Sequence, residues 1–336
     1  MNGRERILVA LDGRVPDRIP LALSFYHVDG AALAPPGAWR DDLVDVGFVA
    51  FPVSPEEEEL RRRALPYAGD TRLGSPSQAA RYARWGYHPE ADRGANPLEG
   101  ARSLDDLERF PFPDASGPYV VDGLARQVAD LQGRGLAAGG NTPHLGGELF
   151  EAAWRLRGLE SFLLDRLAEL ARRNAAALAR AGVDVLALDD DVGMPGTMMI
   201  SPALWREFFR PRLAGIVDAA RAVKPDLRVI YHSDGHVEPI LDDLVEIGIQ
   251  GLNPLQPEHM DAVRIRRRFG PRLALWGTVG RQTTFAFADP AEIRREVRER
   301  IETLGPAGLV LAPAYDIDEP DVPWANVAAF LEAGAA

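Results

Sequence analysis

The chain contains no cysteine. That excludes disulfides, iron–sulfur ligation, a thiolate nucleophile and any zinc site built on sulfur. A metal bound here would have to be held by nitrogen and oxygen atoms. Lysine is almost missing as well: Lys224 is the single example, so arginine supplies nearly all of the 38 basic side chains. This is a compositional bias and not a sign of anion binding. A basic excess is also absent, because 50 acidic residues outnumber the basic ones and give a net charge of −12. Such a surface repels phosphate backbones and anionic membranes, so nucleic acid is not an expected partner. No apolar run approaches the roughly 20 residues that span a bilayer. The opening Met1-Asn2-Gly3-Arg4-Glu5-Arg6 carries no apolar core with a small-residue cleavage site, and the expectation is a soluble, cytoplasmic protein.

What is present is an ordinary globular composition, 46% hydrophobic and 26% charged over 336 residues, with enough apolar material for a sizeable core. From residue 135 onward, short apolar runs alternate with helical patterns. The runs 135–141, 183–191, 228–235, 251–257, 273–280 and 308–317 read as buried strands of a parallel sheet. Between them, Ser201-Pro202 and Asp289-Pro290 mark helix starts, the second with Glu292 in a capping box, and Gly248 and Gly305 mark stops. In the helix after Ser201 the expected buried stripe is Leu204, Phe208, Leu213 and Ile216. Two further runs, 19–25 and 46–53, bring the strand count to eight. Eight strands alternating with helices predict a single-domain (β/α)8 barrel over 1–336. The alternative, an open doubly wound sheet, lacks its glycine fingerprint. Residues 70–118, rich in Gly, Pro and aromatics, break the rhythm and read as a hairpin and loop inserted over one mouth.

In such a barrel the chemistry sits at the C-terminal strand ends, so the polar residues that close each apolar run are the candidates. They are Tyr26 and His27 after the first strand, Asn141 with His144 and Glu148 beyond it, and Asp189, Asp190 and Asp191. Then come His232 and Asp234, Asn253 and Gln256, Thr278, and Tyr315 with Asp316. His232 and Asp234 share a face if the strand persists. The pair can bind a metal, or Asp234 can orient the imidazole for proton transfer. Equally, Asp234-Gly235 can be a turn and helix entry. Of the three consecutive aspartates Asp190 is expected to face inward, sharing the face of Leu186 and Leu188. His144 and Glu148 form an i,i+4 pair if a helix starts near Pro143. Lys224 lies in a helix-to-strand connection at the wrong end of the barrel, which excludes a Schiff-base mechanism.

Several segments together carry a family resemblance. They are Arg4-Glu5-Arg6-Ile7 through Pro16-Asp17-Arg18-Ile19-Pro20, the Tyr82 to Tyr87 segment leading to Phe110-Pro111-Phe112-Pro113-Asp114, and Asp190-Asp191-Val192-Gly193 with Ser201-Pro202 and Arg210-Pro211-Arg212-Leu213. Tyr231-His232-Ser233-Asp234-Gly235, Asn253-Pro254-Leu255-Gln256-Pro257 and Leu311-Ala312-Pro313-Ala314-Tyr315 follow in order. The whole resembles the uroporphyrinogen decarboxylase superfamily, which implies a (β/α)8 barrel, often dimeric. The superfamily holds two chemistries. Its decarboxylases carry an Arg-Gln-Ala-Gly-Arg segment after strand 1, where this chain has Ser24-Phe25-Tyr26-His27-Val28-Asp29-Gly30. Its methyltransferases move a methyl group to or from a corrinoid or a thiol with zinc as Lewis acid. Their zinc pattern resembles His-x-Cys with a later Cys; here His232 is kept, Asp234 replaces the first Cys, and Tyr315 stands near the second.

The resemblance therefore implies a methyltransferase-like enzyme acting on a small methylated or methoxylated compound. The catalytic candidates are His232, Asp234, Asp190 and Tyr315. Tyr26, His27, Asn141, Glu148, Asn253 and Thr278 are expected to bind substrate, and His232, Asp234 and Glu148 to hold zinc. No Asp-x-His-x-x-Gly segment is present, so a corrinoid would arrive on a separate protein. The alternative is a metal-free decarboxylase of an organic acid or tetrapyrrole, with Asp190 or Asp234 stabilising a protonated intermediate and His232 as acid and base.

Overall fold

The computed structural model describes residues 1–28, 33–52, 118–142, 160–280, 284–314, 317 and 322–335. Among the described residues seven strands lie side by side in chain order, every neighbouring pair parallel. They are β1 (Val46–Phe48), β2 (Ala137–Asn141), β3 (Val185–Asp189), β4 (Arg228–His232), β5 (Gly251–Leu255), β6 (Ala274–Val279) and β7 (Leu309–Pro313). Each begins within two residues of its expected start, and most end earlier, because pairing stops where the chain turns away into the loops that carry the site. The helices are α1 (Gly3–Leu11), α2 (Pro118–Gly133), α3 (Glu160–Ala181), α4 (Pro202–Phe208), α5 (Arg210–Val223), α6 (Leu241–Glu246), α7 (Ala262–Phe269), α8 (Pro290–Leu304) and α9 (Trp324–Ala335). This is the α/β, TIM-barrel-like architecture that the alternation predicts.

The expected eighth strand, 19–25, is reduced to a bridge. Leu21 pairs in parallel with Leu311 of β7. Ala22 N–H donates to Leu311 O, and Leu311 N–H to Pro20 O, at 2.9 and 3.0 Å. On the other side Asp45 N–H donates to Leu21 O at 2.9 Å. The segment thus runs between the last strand and the first, but it contains Pro20 and soon leaves the ladder. The inserted hairpin expected at 70–118 lies outside the described residues, apart from Pro118, which opens α2.

The two faces of the sheet pack into two separate clusters, and within β3 side-chain size tells them apart. Inside, Val46, Ala137, Val185, Ala187, Ile230, Ala274, Val310 and Ala312 form one cluster, closed at the N-terminal end by Ile7 and Leu11 of α1. Outside, Leu186, Leu188, Val229, Tyr231, Leu252 and Leu275 pack against the helices in a second. The barrel interior is filled mostly by Val and Ala, with Phe48, Ile230 and Trp276 as its large side chains; the sheet–helix layer takes the leucines. The helix after Ser201 is two helices meeting at Phe209. The Ser201 cap is present, its Oγ accepting from Leu204 N–H at 3.2 Å. The buried stripe is shifted by one residue, to Trp205 and Phe209 in place of Leu204 and Phe208, while Leu213 and Ile216 are buried as expected. The Asp289–Glu292 capping box forms as expected. Among the described residues no helix is long and apolar enough to cross a membrane.

At the N-terminal end two carboxylates, Asp184 buried and Asp12 exposed, hold α1 to the strands. Asp184, at the start of β3, takes a two-pronged contact from Arg4. Asp12 pairs with Arg228 of β4. Burial by itself would raise the Asp12 carboxyl, but hydrogen bonds from Arg228 and Arg14 outweigh it and leave its pKa below the ordinary value.

Candidate active site

A cavity of about 300 Å³ opens at the C-terminal strand ends. Ser24, Phe25 and Tyr26 form one wall, Asn141, Asp189 and Asp191 the next, then His232, Asp234, Asn253 and Trp276. β2 to β5 contribute Asn141, Asp189, His232 and Asn253 from at or near their C-terminal ends, and β6 and β7 add Trp276, Ala312 and Pro313, the end of the strands at which barrel chemistry is placed.

His232 is buried, and three neighbours fix it. Its Nδ1 lies 2.7 Å from Asn253 Oδ1 on the adjacent strand. An amide oxygen only accepts, so in this pair Nδ1 donates and Nε2 is the ring nitrogen left for other partners. Asp191 Oδ1 stands 3.7 Å from Nε2. The ring lies flat on Phe25, with centroids 3.6 Å apart and planes 15° from parallel. The site therefore holds an oriented imidazole whose free nitrogen faces a carboxylate, an arrangement suited to moving one proton.

The loops after β3 and β4 are fastened to each other. Asp190 N–H donates to His232 O at 3.1 Å, Val192 N–H to Ser233 Oγ at 3.1 Å, and Asp234 N–H to Asp191 Oδ1 at 2.8 Å. Gln256 clamps the second loop. Its Oε1 accepts from Gly235 N–H at 2.6 Å, and its Nε2 donates to Asp234 Oδ1 and Ala314 O at 3.0 and 3.1 Å. The approach is close enough to require glycine. A Cβ on Gly193 would fall 2.0 Å from Asp234 O, and Gly235, at φ 75°, packs on Gly193 and Met194. Both alternatives raised for Asp234-Gly235 thus apply: it is a turn, and Asp234 still lines the cavity.

The remaining candidates divide. Tyr26, Asn141, Asn253, His232 and Asp234 come together in the cavity wall. His27 is exposed and its Nδ1 contacts Phe48 O at 2.9 Å, away from the lining. Glu148 and Tyr315, with His144 and Asp316, lie outside the described residues. Asp190 does not face inward. Leu186 and Leu188, whose face it shares, belong to the sheet–helix layer, whereas Val185 and Ala187 line the interior and lead to Asp189 and then Asp191. Asp190 is fully buried behind the site and accepts from the Tyr231 hydroxyl at 3.0 Å. Burial, reinforced by the Asp190 carboxylate, pushes the Tyr231 phenol well above its ordinary range, so it remains a donor. Phe25 and Trp276 are site residues outside the candidates, and Asp189 and Asp191, set aside in the sequence in favour of Asp190, line the cavity in its place. The alternation of small and large residues along β3 carries the signal for the two aspartates; nothing in the sequence marks Phe25.

Thr278 is also absent from the cavity lining. It is wholly buried, sits at φ 76°, and its Oγ1 has no hydrogen-bond partner among the described residues. A β-branched residue at positive φ is strained, and a buried hydroxyl without a partner costs about 1–3 kcal/mol. Thr278→Val keeps the shape and removes the hydroxyl, so it is expected to stabilise the protein by about 1 kcal/mol in denaturant titration. A loss of stability would mean that the hydroxyl has a partner after all.

Among the described residues no group of three or more His, Asp or Glu side chains could hold a metal. Of the expected zinc ligands, His232 has Nε2 available while Asp234 Oδ1 is engaged by Gln256. Two such groups do not make the three protein ligands of a catalytic zinc, so the described residues do not by themselves fit the ion.

A buried acid–base group at the strand ends of a TIM-barrel-like sheet is the general design of a barrel enzyme site. Comparison with known proteins makes it specific. The family model described as Uroporphyrinogen decarboxylase (URO-D) matches residues 151–336, which include β3 to β7 and the His232, Asp191, Asp234 and Asn253 positions. The chain belongs to the uroporphyrinogen decarboxylase family. Two sequences of the methylcobamide:CoM methyltransferase MtaA, one from Methanosarcina barkeri and one from its strain Fusaro, are each 30% identical to it over 183 residues. Each match covers 54% of this chain and 50% of the relative, so the chain spans about half the length of the curated relatives it matches. A solved structure of a methyltransferase from Methanosarcina mazei superposes with a TM-score of 0.65 at 21% identity, over 100% of this chain and 98% of that one. That likeness establishes the shared fold.

Proposed function

We propose that the protein is a methyltransferase of the uroporphyrinogen decarboxylase family that moves a methyl group between a small methylated compound and a thiol or a corrinoid carried by another protein. The observation that carries the reading is the His232 imidazole, held by Asn253 and Phe25 with Nε2 toward Asp191, in the strand-end cavity of a chain similar to methyltransferases. Methyl transfer is a displacement at carbon: the acceptor's electron pair forms the new bond while the old bond's pair stays with the leaving atom. Where the acceptor is a thiol, its proton must go somewhere, and His232 Nε2 takes it. In the reverse sense the imidazolium, facing Asp191, returns a proton to a leaving alkoxide or thiolate. Tyr26, Asn141 and Asn253 contact the substrate. Asp234, braced by Gln256, keeps the loop in place. Asp190 acts from behind, through the short chain segment it shares with Asp189 and Asp191. No step is assigned to zinc, Glu148 or Tyr315.

The test is a two-substrate assay with methylcobalamin and a small thiol, following loss of the cobalt–carbon absorbance and thioether formation by mass spectrometry. Thioether that appears with the protein and not without it is the expected result. The reading falls if no methylated donor reacts while a carboxylic acid releases CO2, which would favour the decarboxylase chemistry of the same family.

A further inference from the structure

Two N–H donors in the cavity wall are left unpaired by the fold. Trp276 of β6 is fully buried and lines the cavity, and its Nε1–H has no hydrogen-bond partner among the described residues. A buried donor of that kind calls for an acceptor. Asn253 stands beside it on β5, because the register pairs Leu252 with Leu275 and Leu255 with Gly277 and so brackets the two residues. It is 3% exposed and also lines the cavity. Its Oδ1 is committed to His232 Nδ1, and its Nδ2, a donor only, makes no hydrogen bond among the described residues. His232 pairs with Asn253 across the ladder in turn. Imidazole, amide and indole therefore come from three consecutive strands to one wall. What sits against that wall has to accept hydrogen bonds. Hydrocarbon and ammonium groups cannot, sulfur accepts weakly, and an oxygen offers lone pairs to both donors.

Resting on the methyl-transfer reading above, we infer that the small substrate carries an oxygen acceptor beside its methyl group, and that Trp276 Nε1–H and Asn253 Nδ2–H are the donors that select it. One amide then serves twice: Oδ1 fixes the imidazole and Nδ2 holds the substrate next to it. The residue that orients the acid–base group also orients the molecule it acts on. Discrimination follows from desolvation. An analogue with carbon in place of the oxygen leaves both donors buried and unmet, and a site built on hydrogen bonds rejects such an analogue far more firmly than it rejects a change of size. Trp276 is thus a specificity-determining residue, and phenylalanine in its place would keep aromatic surface while losing the donor.

The experiment compares acetophenone with 2-phenylpropene, which has the same shape and a methylene carbon in place of the oxygen. Both are titrated into the purified full chain, carrying 15N in its six tryptophans. Acetophenone is expected to bind about tenfold more tightly. It should also move one indole N–H signal downfield, the one that Trp276→Phe lacks, while 2-phenylpropene leaves that signal in place. In Asn253→Asp, which keeps Oδ1 for His232 and puts an oxygen where Nδ2 stood, the preference should fall or reverse. That variant decides by calorimetry even where Trp276→Phe does not fold. Equal binding of the two probes, or a preference untouched by the substitutions, overturns the inference. Its failure is separable from that of the reading beneath it. Thioether formed from methylcobalamin by a protein with no oxygen preference leaves the methyltransferase reading intact and refutes the acceptor assignment alone. An oxygen preference in a protein that forms no thioether from any methyl donor refutes that reading instead, and with it the placing of the oxygen beside a methyl group.

Discussion

His232→Ala is expected to lower methyl-transfer turnover about 10²–10⁴-fold, the range general acid–base groups contribute. The size follows from how fully the ring is committed. It is 6% exposed, Nδ1 is spent on Asn253, one face is covered by Phe25, and only Nε2 remains for chemistry. Water admitted into the space left by the ring would be a poorer base and would not be held in line. The substitution also leaves Asn253 Oδ1 without its donor, a buried loss of about 1–3 kcal/mol, so circular dichroism and melting should accompany the assay. Two controls separate chemistry from packing. Added imidazole should restore part of the turnover of His232→Ala, which a purely structural role would not allow. Asn253→Ala should lower turnover less than His232→Ala, because the base remains and only its orientation is relaxed. Turnover of His232→Ala within a few-fold of the parent would remove His232 from the mechanism.

How much of this was legible in the sequence depends on which physical rule governs each position. The strands from β2 to β7 stand out because parallel strands buried on both faces read as unbroken apolar runs. Helix starts are equally plain, since Ser201 and Asp289 satisfy the first free N–H groups of their helices. Facing within β3 is harder. Leucine looks like core, and both faces of this sheet are core, so hydrophobicity does not separate inside from outside. Size does: Ala187 fits the interior and Leu188 the helix layer. Counted from Ala187, parity brings Asp189 and Asp191 to the cavity and sends Asp190 to Tyr231. The shift from Leu204 and Phe208 to Trp205 and Phe209 arises at the break between α4 and α5, which no spacing rule anticipates. His232 was visible as the polar end of an apolar strand. Its partners Asn253 and Phe25 come from other strands and loops, and only the folded register brings them within reach.

Asp45→Ala is expected to destabilise the protein by about 3–5 kcal/mol, as removal of one member of a buried charge network does. Asp45 precedes β1 and is 1% exposed. It receives Arg6 Nη1 at 3.1 Å, Arg18 Nη1 and Nη2 at 2.6 and 3.0 Å, and Leu21 N–H at 2.8 Å. The last bond matters most for the fold. The segment 19–23 stands where a full strand would otherwise join β7 to β1; Leu311 holds it on the β7 side through Pro20 and Ala22, and on the β1 side Asp45 holds Leu21 from both its backbone and its side chain. Without the carboxylate both guanidinium groups lose this ion pair, and Arg6 keeps another, to Asp17 at 2.7 Å. At 16% and 25% side-chain exposure they can turn partly toward water, which places the expected loss toward the lower end of the range. Asp45→Asn keeps an acceptor for Leu21 and should lose less. Denaturant titration measures the energy, and the assay measures its consequence: the same segment continues into Ser24, Phe25 and Tyr26, so loosening it frees the ring that covers His232. Asp45→Ala should therefore lower turnover at temperatures where it is still folded, and a variant of unchanged stability and activity would show that Asp45 does not hold the junction.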